Sequence, residues 1–190
     1  MGTRSLFMII KNRKPKLAQY NQFDGYPDHF GKNLLIQLKT IDLDTLQEQI
    51  DKIRFAGEKK SNQIMAFYEK IKSNTPKSVD DIFFEKYPLM HRNTGPELLD
   101  NIMKLDKIVF AKNSSDFAGD SLFCEWAYII DLDKETFETF KGFNKEPLNQ
   151  QERFFKYQDK NAEYKPVRLS LSYDLDNLPT VEDYLLNFKN

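Results

Sequence analysis

No unbroken apolar run in the chain is longer than the five residues of Leu6-Phe7-Met8-Ile9-Ile10, and that brevity constrains the fold more than any other feature. A membrane-crossing helix needs about 20 apolar residues and a signal-peptide core about 7–15, so neither is expected. Apolar and partly β-branched, residues 3–10 (Thr-Arg-Ser-Leu-Phe-Met-Ile-Ile) instead predict a buried strand. Residues 11–16 (Lys-Asn-Arg-Lys-Pro-Lys) are polar and hold a proline unsuited to a central strand, so they predict a turn. Residues 16–23 alternate well enough for a second strand. Together these segments form an N-terminal β-hairpin.

An Asp24-Gly25-Tyr26-Pro27 loop then punctuates the chain. Phe30, Leu34, Leu35 and Leu38 recur at helical spacing behind it, predicting a helix from near His29. Leu43, Leu46, Ile50 and Ile53 predict a second, ending near Gly57. Three further stripes follow: Ile64, Phe67, Tyr68 and Ile71; Val79, Ile82, Phe83 and Tyr87; Leu98, Leu99, Ile102 and Met103. Breaks at Asn74-Thr75-Pro76 and Asn93-Thr94-Gly95-Pro96 separate them. After Asp106 the pattern turns to strands over 107–111, 122–132, 136–141 and 164–173, with a polar loop or weak helix over 144–162 and a closing helix from Val181 to Phe188.

Hairpin, helices, then a strand meander read as one α+β domain over residues 1–190. The expected core is an antiparallel sheet built from the N-terminal hairpin and the C-terminal meander. The helical segment 29–105 packs on it.

Composition narrows the function. The 28 basic and 29 acidic residues nearly cancel, which argues against general nucleic-acid binding and against a polybasic membrane anchor. A single cysteine excludes an internal disulfide, and with two histidines it leaves no zinc-type ligand set. Neither a metal nor a cofactor is expected. Leu6 stands where a myristoylation signal wants Ser or Thr. The chain is expected to be soluble and cytoplasmic.

Arg4 interrupts an apolar strand, where a guanidinium must pair, snorkel or face a pocket. Antiparallel pairing about the turn sets residue 4 opposite about residue 23, so Asp24 is the expected partner. The pair either holds the loop or orients Arg4 toward an anion. Tyr26 adds a ring, and the helix start at His29–Lys32 offers amides that favour anions. Gly31-Lys32 is not a phosphate-binding P-loop, lacking the first Gly and the Ser/Thr. Cys124, mid-strand without a nearby histidine, reads as inert packing, and His29 and His91 read as surface residues. Asp116, Asp120 and Glu125 form a loose acidic group beside the small-residue loop 114–119, read as a polar loop rather than a metal site. The basic tip 11–16 reads as a solvated hairpin end.

Two resemblances bear on these residues. Gly2-Thr3-Arg4-Ser5, the loop Gln22-Phe23-Asp24-Gly25-Tyr26-Pro27, and Cys124-Glu125-Trp126-Ala127-Tyr128-Ile129-Ile130-Asp131-Leu132 followed by Lys141-Gly142-Phe143 resemble uncharacterised microbial, phage and large-virus proteins. That likeness spans nearly the whole chain and implies no activity. The start Gly2-Thr3 and the strand end Tyr20-Asn21-Gln22-Phe23-Asp24 also resemble the linear-amide branch of N-terminal-nucleophile hydrolases. There Asn21 and Asp24 match a family Asn and Asp. Gly2, however, stands where the nucleophilic Cys belongs and Tyr20 where an Arg does, so this resemblance implies a cleft that binds rather than cleaves.

The sequence therefore predicts a small anionic, nucleotide-like ligand held by Gly2, Thr3, Arg4, Asn21, Asp24, Tyr26, His29 and Lys32, a reading that admits a homodimer. The alternatives are a hydrolase of N-terminal-nucleophile type acting on an amide or phosphate bond, and a protein-interaction module without a ligand.

Overall fold

A computed structural model describes residues 2–74, 78–90 and 95–189; the expected breaks at Thr75-Pro76 and Asn93-Thr94, and His91, lie outside them. The hairpin forms as β1 (Ser5–Lys11) and β2 (Lys14–Asn21). Its connection is tighter than expected: Asn12 and Arg13 both take positive φ (57° and 59°), as a two-residue type I′ turn requires. Pro15 therefore lies within β2. The strand tolerates it because β2 is an edge of the sheet and the register shifts opposite it, between Ile9 and Ile10.

The helical segment contains α1 (Lys32–Leu38), α2 (Leu43–Ile50), α3 (Glu58–Asn74), α4 (Val79–Lys86) and α5 (Leu98–Met103). Pro27–Gly31 forms a single π-helical turn ahead of α1, where a regular helix start was expected. α2 stops at Ile50, short of Gly57, because Ile53–Phe55 is the short strand β3, paired in parallel with β4 (Val109–Ala111). β5 (Trp126–Asp131) is shorter than the expected 122–132, since residues 122–125 are turned, with the Cys124 N–H donating to the Asp120 carbonyl at 2.8 Å. β6 (Thr136–Lys141), β7 (Arg168–Asp174, in place of 164–173) and α6 (Val181–Leu186) complete the chain.

The five-stranded sheet runs β2-β1-β5-β6-β7. Its one departure from the expected antiparallel sheet is central: β1 pairs with β5 in parallel, Leu6 beside Ala127 and Ile9 beside Ile130. A parallel pair needs a crossover, and the helical segment supplies it. Both central strands are covered on two faces, which is why their sequences read as unbroken apolar runs. Phe7, Ile9, Tyr128 and Ile130 point to a core shared with Leu35, Leu46, Ile50, Leu99, Ile102 and Tyr184 of the helices. Leu6, Met8, Ala127 and Ile129 point the other way, onto Cys124, Leu148, Phe154 and Val167.

The second cover is the long polar segment. It is held irregularly by Arg153, whose guanidinium lies 2.7 Å from both Asp131 and Glu138, carboxylates buried on the sheet. α3 and α4 pack on each other through Tyr68 on Phe83 (ring centroids 5.3 Å) and Phe67 on Tyr87 (5.7 Å). Among the described residues no helix is long and apolar enough to cross a membrane.

Candidate functional site

The residues singled out at the N-terminus come together, though in roles other than those expected. Ser5 pairs with Asn21, so Arg4 falls beside Gln22, one residue short of the expected register. Arg4 does not take Asp24 as its ion partner. Its backbone N–H donates to Glu125 Oε1 at 3.3 Å, its guanidinium lies 3.9 Å from the same oxygen, and it stacks on the Phe123 ring with 4.7 Å to the centroid. The parallel β1–β5 pairing brings Glu125 to that place. Arg4 Nε is buried and has no hydrogen-bond acceptor among the described residues.

The Asp-Gly-Tyr-Pro loop is a structural clasp. Gly25 N–H donates to Thr3 O at 2.9 Å, and its carbonyl accepts from Tyr128 Oη at 2.8 Å. A Cβ on Gly25 would stand 2.7 Å from the Ser5 side chain, so only glycine fits. Asp24 takes a positive φ of 53° and is exposed, its carbonyl 3.2 Å from His29 Nδ1. Asn21 is buried and donates to Phe23 O.

The amides of His29, Phe30 and Gly31 all donate to the Tyr26 carbonyl, at 3.2, 2.8 and 3.3 Å. The anion cradle expected at His29–Lys32 is therefore occupied by the chain itself. Gly2 lies against the ring of Phe23, and a side chain there would collide with it. The basic tip is likewise pinned: Lys11 and Lys16 reach separate oxygens of Asp51, at 2.6 and 3.1 Å, while the N–H groups of Asn12 and Arg13 donate to Asp133 at 2.7 and 2.6 Å.

A concavity lies beside these residues, against the outer edge of β2. It is a cleft of about 1060 Å³, at the upper end of small-ligand sites, which run to roughly 1,000 Å³. One wall is Tyr20 packed edge-on against Phe117, centroids 4.9 Å apart; the other is Tyr68 and Phe83 from α3 and α4. Gln22 and Asn113 add amides, and Met65 and Met90 add apolar surface. Asp80, Asp116 and Asp120 add carboxylates, with Lys112 the single cation among the described residues of the lining.

Arg4 does not line this cleft itself; the residue beside it in the continued register, Gln22, does. Asp116 and Asp120, read from sequence as a polar loop, are on the cleft wall, whereas Glu125 is taken by Arg4. Tyr68 and Phe83 had registered only as core stripes. Cys124 is buried; burial, with the nearby charges of Asp120 and Glu125, pushes its thiol far above the usual range and keeps it protonated. No group of three or more metal-ligating side chains occurs among the described residues.

No family model, no curated protein and no solved structure matches the chain.

Proposed function

We propose that the protein is a binding protein whose ligand occupies the cleft along β2, without covalent catalysis. The carrying observation is the lining itself: aromatic pairs on two facing walls, amides between them and carboxylates at the rim. Rings supply contact area and amides fix orientation, the usual division of labour in a ligand site. Calorimetric titration with nucleosides, nucleotides, amines and short peptides tests it. The expected result is saturable binding by at least one class, weakened by Tyr68→Ala; a flat response to every class overturns the proposal. A cytoplasmic setting belongs to the same proposal, supported by a lone cysteine kept buried and reduced.

A second reading, the anionic nucleotide-like ligand, is favoured by Arg4. Its side chain is about a quarter exposed and its nearest carboxylate, at 3.9 Å, is beyond hydrogen-bond length, so the terminal guanidinium nitrogens have donors to spare for a phosphate bound beside the Gln22 end of the cleft. Under this reading Arg4→Ala abolishes nucleotide binding while the fold persists. Undiminished binding by Arg4→Ala excludes it.

A further inference from the structure

We infer that the occupant of the cleft is an extended peptide segment bearing Lys or Arg, added as a further strand to the open edge of β2; this rests on the cleft being the binding site. The edge is half used by the chain itself. Ala18 and Asn113 form a parallel bridge, and Ser114 N–H donates to Ala18 O at 2.9 Å. Along a strand, backbone groups on one side recur every second residue, so Tyr20 presents its N–H and C=O in the same direction as Ala18. By then the 112–114 segment has turned away into the helical turn 115–119, and the cleft begins. Among the described residues no hydrogen bond to Tyr20 from that side occurs. The floor of the cleft is thus a strand edge, and an added strand is the ligand geometry that satisfies it.

Charge selects the side chains. Among the described residues of the lining, Asp80, Asp116 and Asp120 face one cation, Lys112. Phosphate-rich or acidic ligands meet repulsion there, whereas an ammonium or guanidinium meets carboxylates and the faces of Tyr20 and Tyr68. At about 3.3 Å per residue, the edge from Gln19 to Gln22 takes roughly three to four peptide residues. Main-chain pairing would supply affinity, and alternate side chains entering the cleft would supply selectivity.

The test uses isotope-labelled full chain and three probes: acetyl-Lys-Val-Lys-Val-Lys-amide, its Glu counterpart, and adenosine. The lysine peptide is expected to shift the Tyr20 and Gln22 amide resonances and to slow hydrogen exchange at Tyr20. The glutamate peptide should bind about tenfold more weakly or worse. Asp116→Asn and Asp120→Asn, both at exposed positions, should each weaken the lysine peptide by roughly two- to fivefold. N-methylating the lysine peptide at alternate residues should abolish binding in one phase and spare it in the other, since only one edge of an added strand is paired. Equal tolerance of both phases, or equal affinity for both peptides, overturns the inference. If adenosine moves the cleft resonances and the lysine peptide does not, strand addition fails while the binding proposal stands; if no probe moves them, strand addition fails, and a flat response across the calorimetric panel as well removes the binding proposal.

Discussion

Tyr128 Oη donates to the carbonyl of Gly25 across 2.8 Å, tying the middle of β5 to the loop that follows β2. Burial drives the Tyr128 hydroxyl well above its ordinary pKa, so it remains a donor at every physiological pH. Tyr128→Phe should lower stability by about 1–2 kcal/mol, because the Gly25 carbonyl is then buried without its donor. Gly25→Ala should cost more, its Cβ meeting Ser5 at 2.7 Å and the Thr3 carbonyl oxygen at 2.9 Å. Urea unfolding of the two variants checks both the direction and the order.

Arg153 bridges two carboxylates whose side chains are 3% and 6% exposed, Asp131 and Glu138. Removing the cation leaves two like charges in a poorly solvated site, so Arg153→Met should destabilise by roughly 3–5 kcal/mol. Adding Asp131→Asn and Glu138→Gln to that variant should recover a substantial part of the loss. A double-mutant cycle by thermal or urea unfolding measures the coupling, and strict additivity would contradict the bridge.

Acid should loosen the hairpin tip first. Hydrogen bonding from Lys11 lowers the Asp51 carboxyl below its ordinary 3.8, and the Arg13 backbone N–H, ahead of that of Asn12, does the same to Asp133. A carboxyl that ionises more readily folded than unfolded contributes stability in full above the unfolded value and loses it as pH falls through the folded one. Amide exchange at Asn12 and Arg13 should therefore accelerate below about pH 4. Asp51→Asn with Asp133→Asn should flatten the acid limb of the stability curve there; an unchanged limb would contradict the assignment.

Cys124 should report global unfolding. Its thiol is buried and held protonated, so a thiolate-specific reagent should react at the rate of unfolding. Stopped-flow labelling against urea concentration compares the two rates. Fast labelling of the native chain would show that the 122–125 turn opens on its own.

Short-range patterns were legible in the sequence and long-range partners were not. The hairpin, β6 and the amphipathic stripes of α1, α2 and α5 each repeat within a few residues, so their faces could be assigned directly. The parallel joining of β1 to β5 leaves no local mark, because a strand buried on both faces looks the same whichever neighbour it takes. That join replaced Asp24 with Glu125 as the partner of Arg4, 121 positions away in the chain. The cover of the second sheet face draws on Leu148 and Phe154, isolated apolar residues in a polar stretch without periodicity. The cleft escaped notice for the same reason: its walls come from β2, from α3 and α4, and from residues 112–120.

The order of synthesis gives the β1–β5 pairing a temporal meaning. Leu6 leaves the ribosome long before Ala127, its neighbour in the finished sheet. Until then the nascent hairpin has a bare inner edge and two uncovered apolar faces, which a two-stranded ribbon cannot bury. Closure of so distant a pair is slow as well as late, since the intervening loop must be gathered before any contact rewards it. The newborn chain thus passes through an interval in which Leu6 to Ile10 are available to chaperones, or to the same strand of another copy.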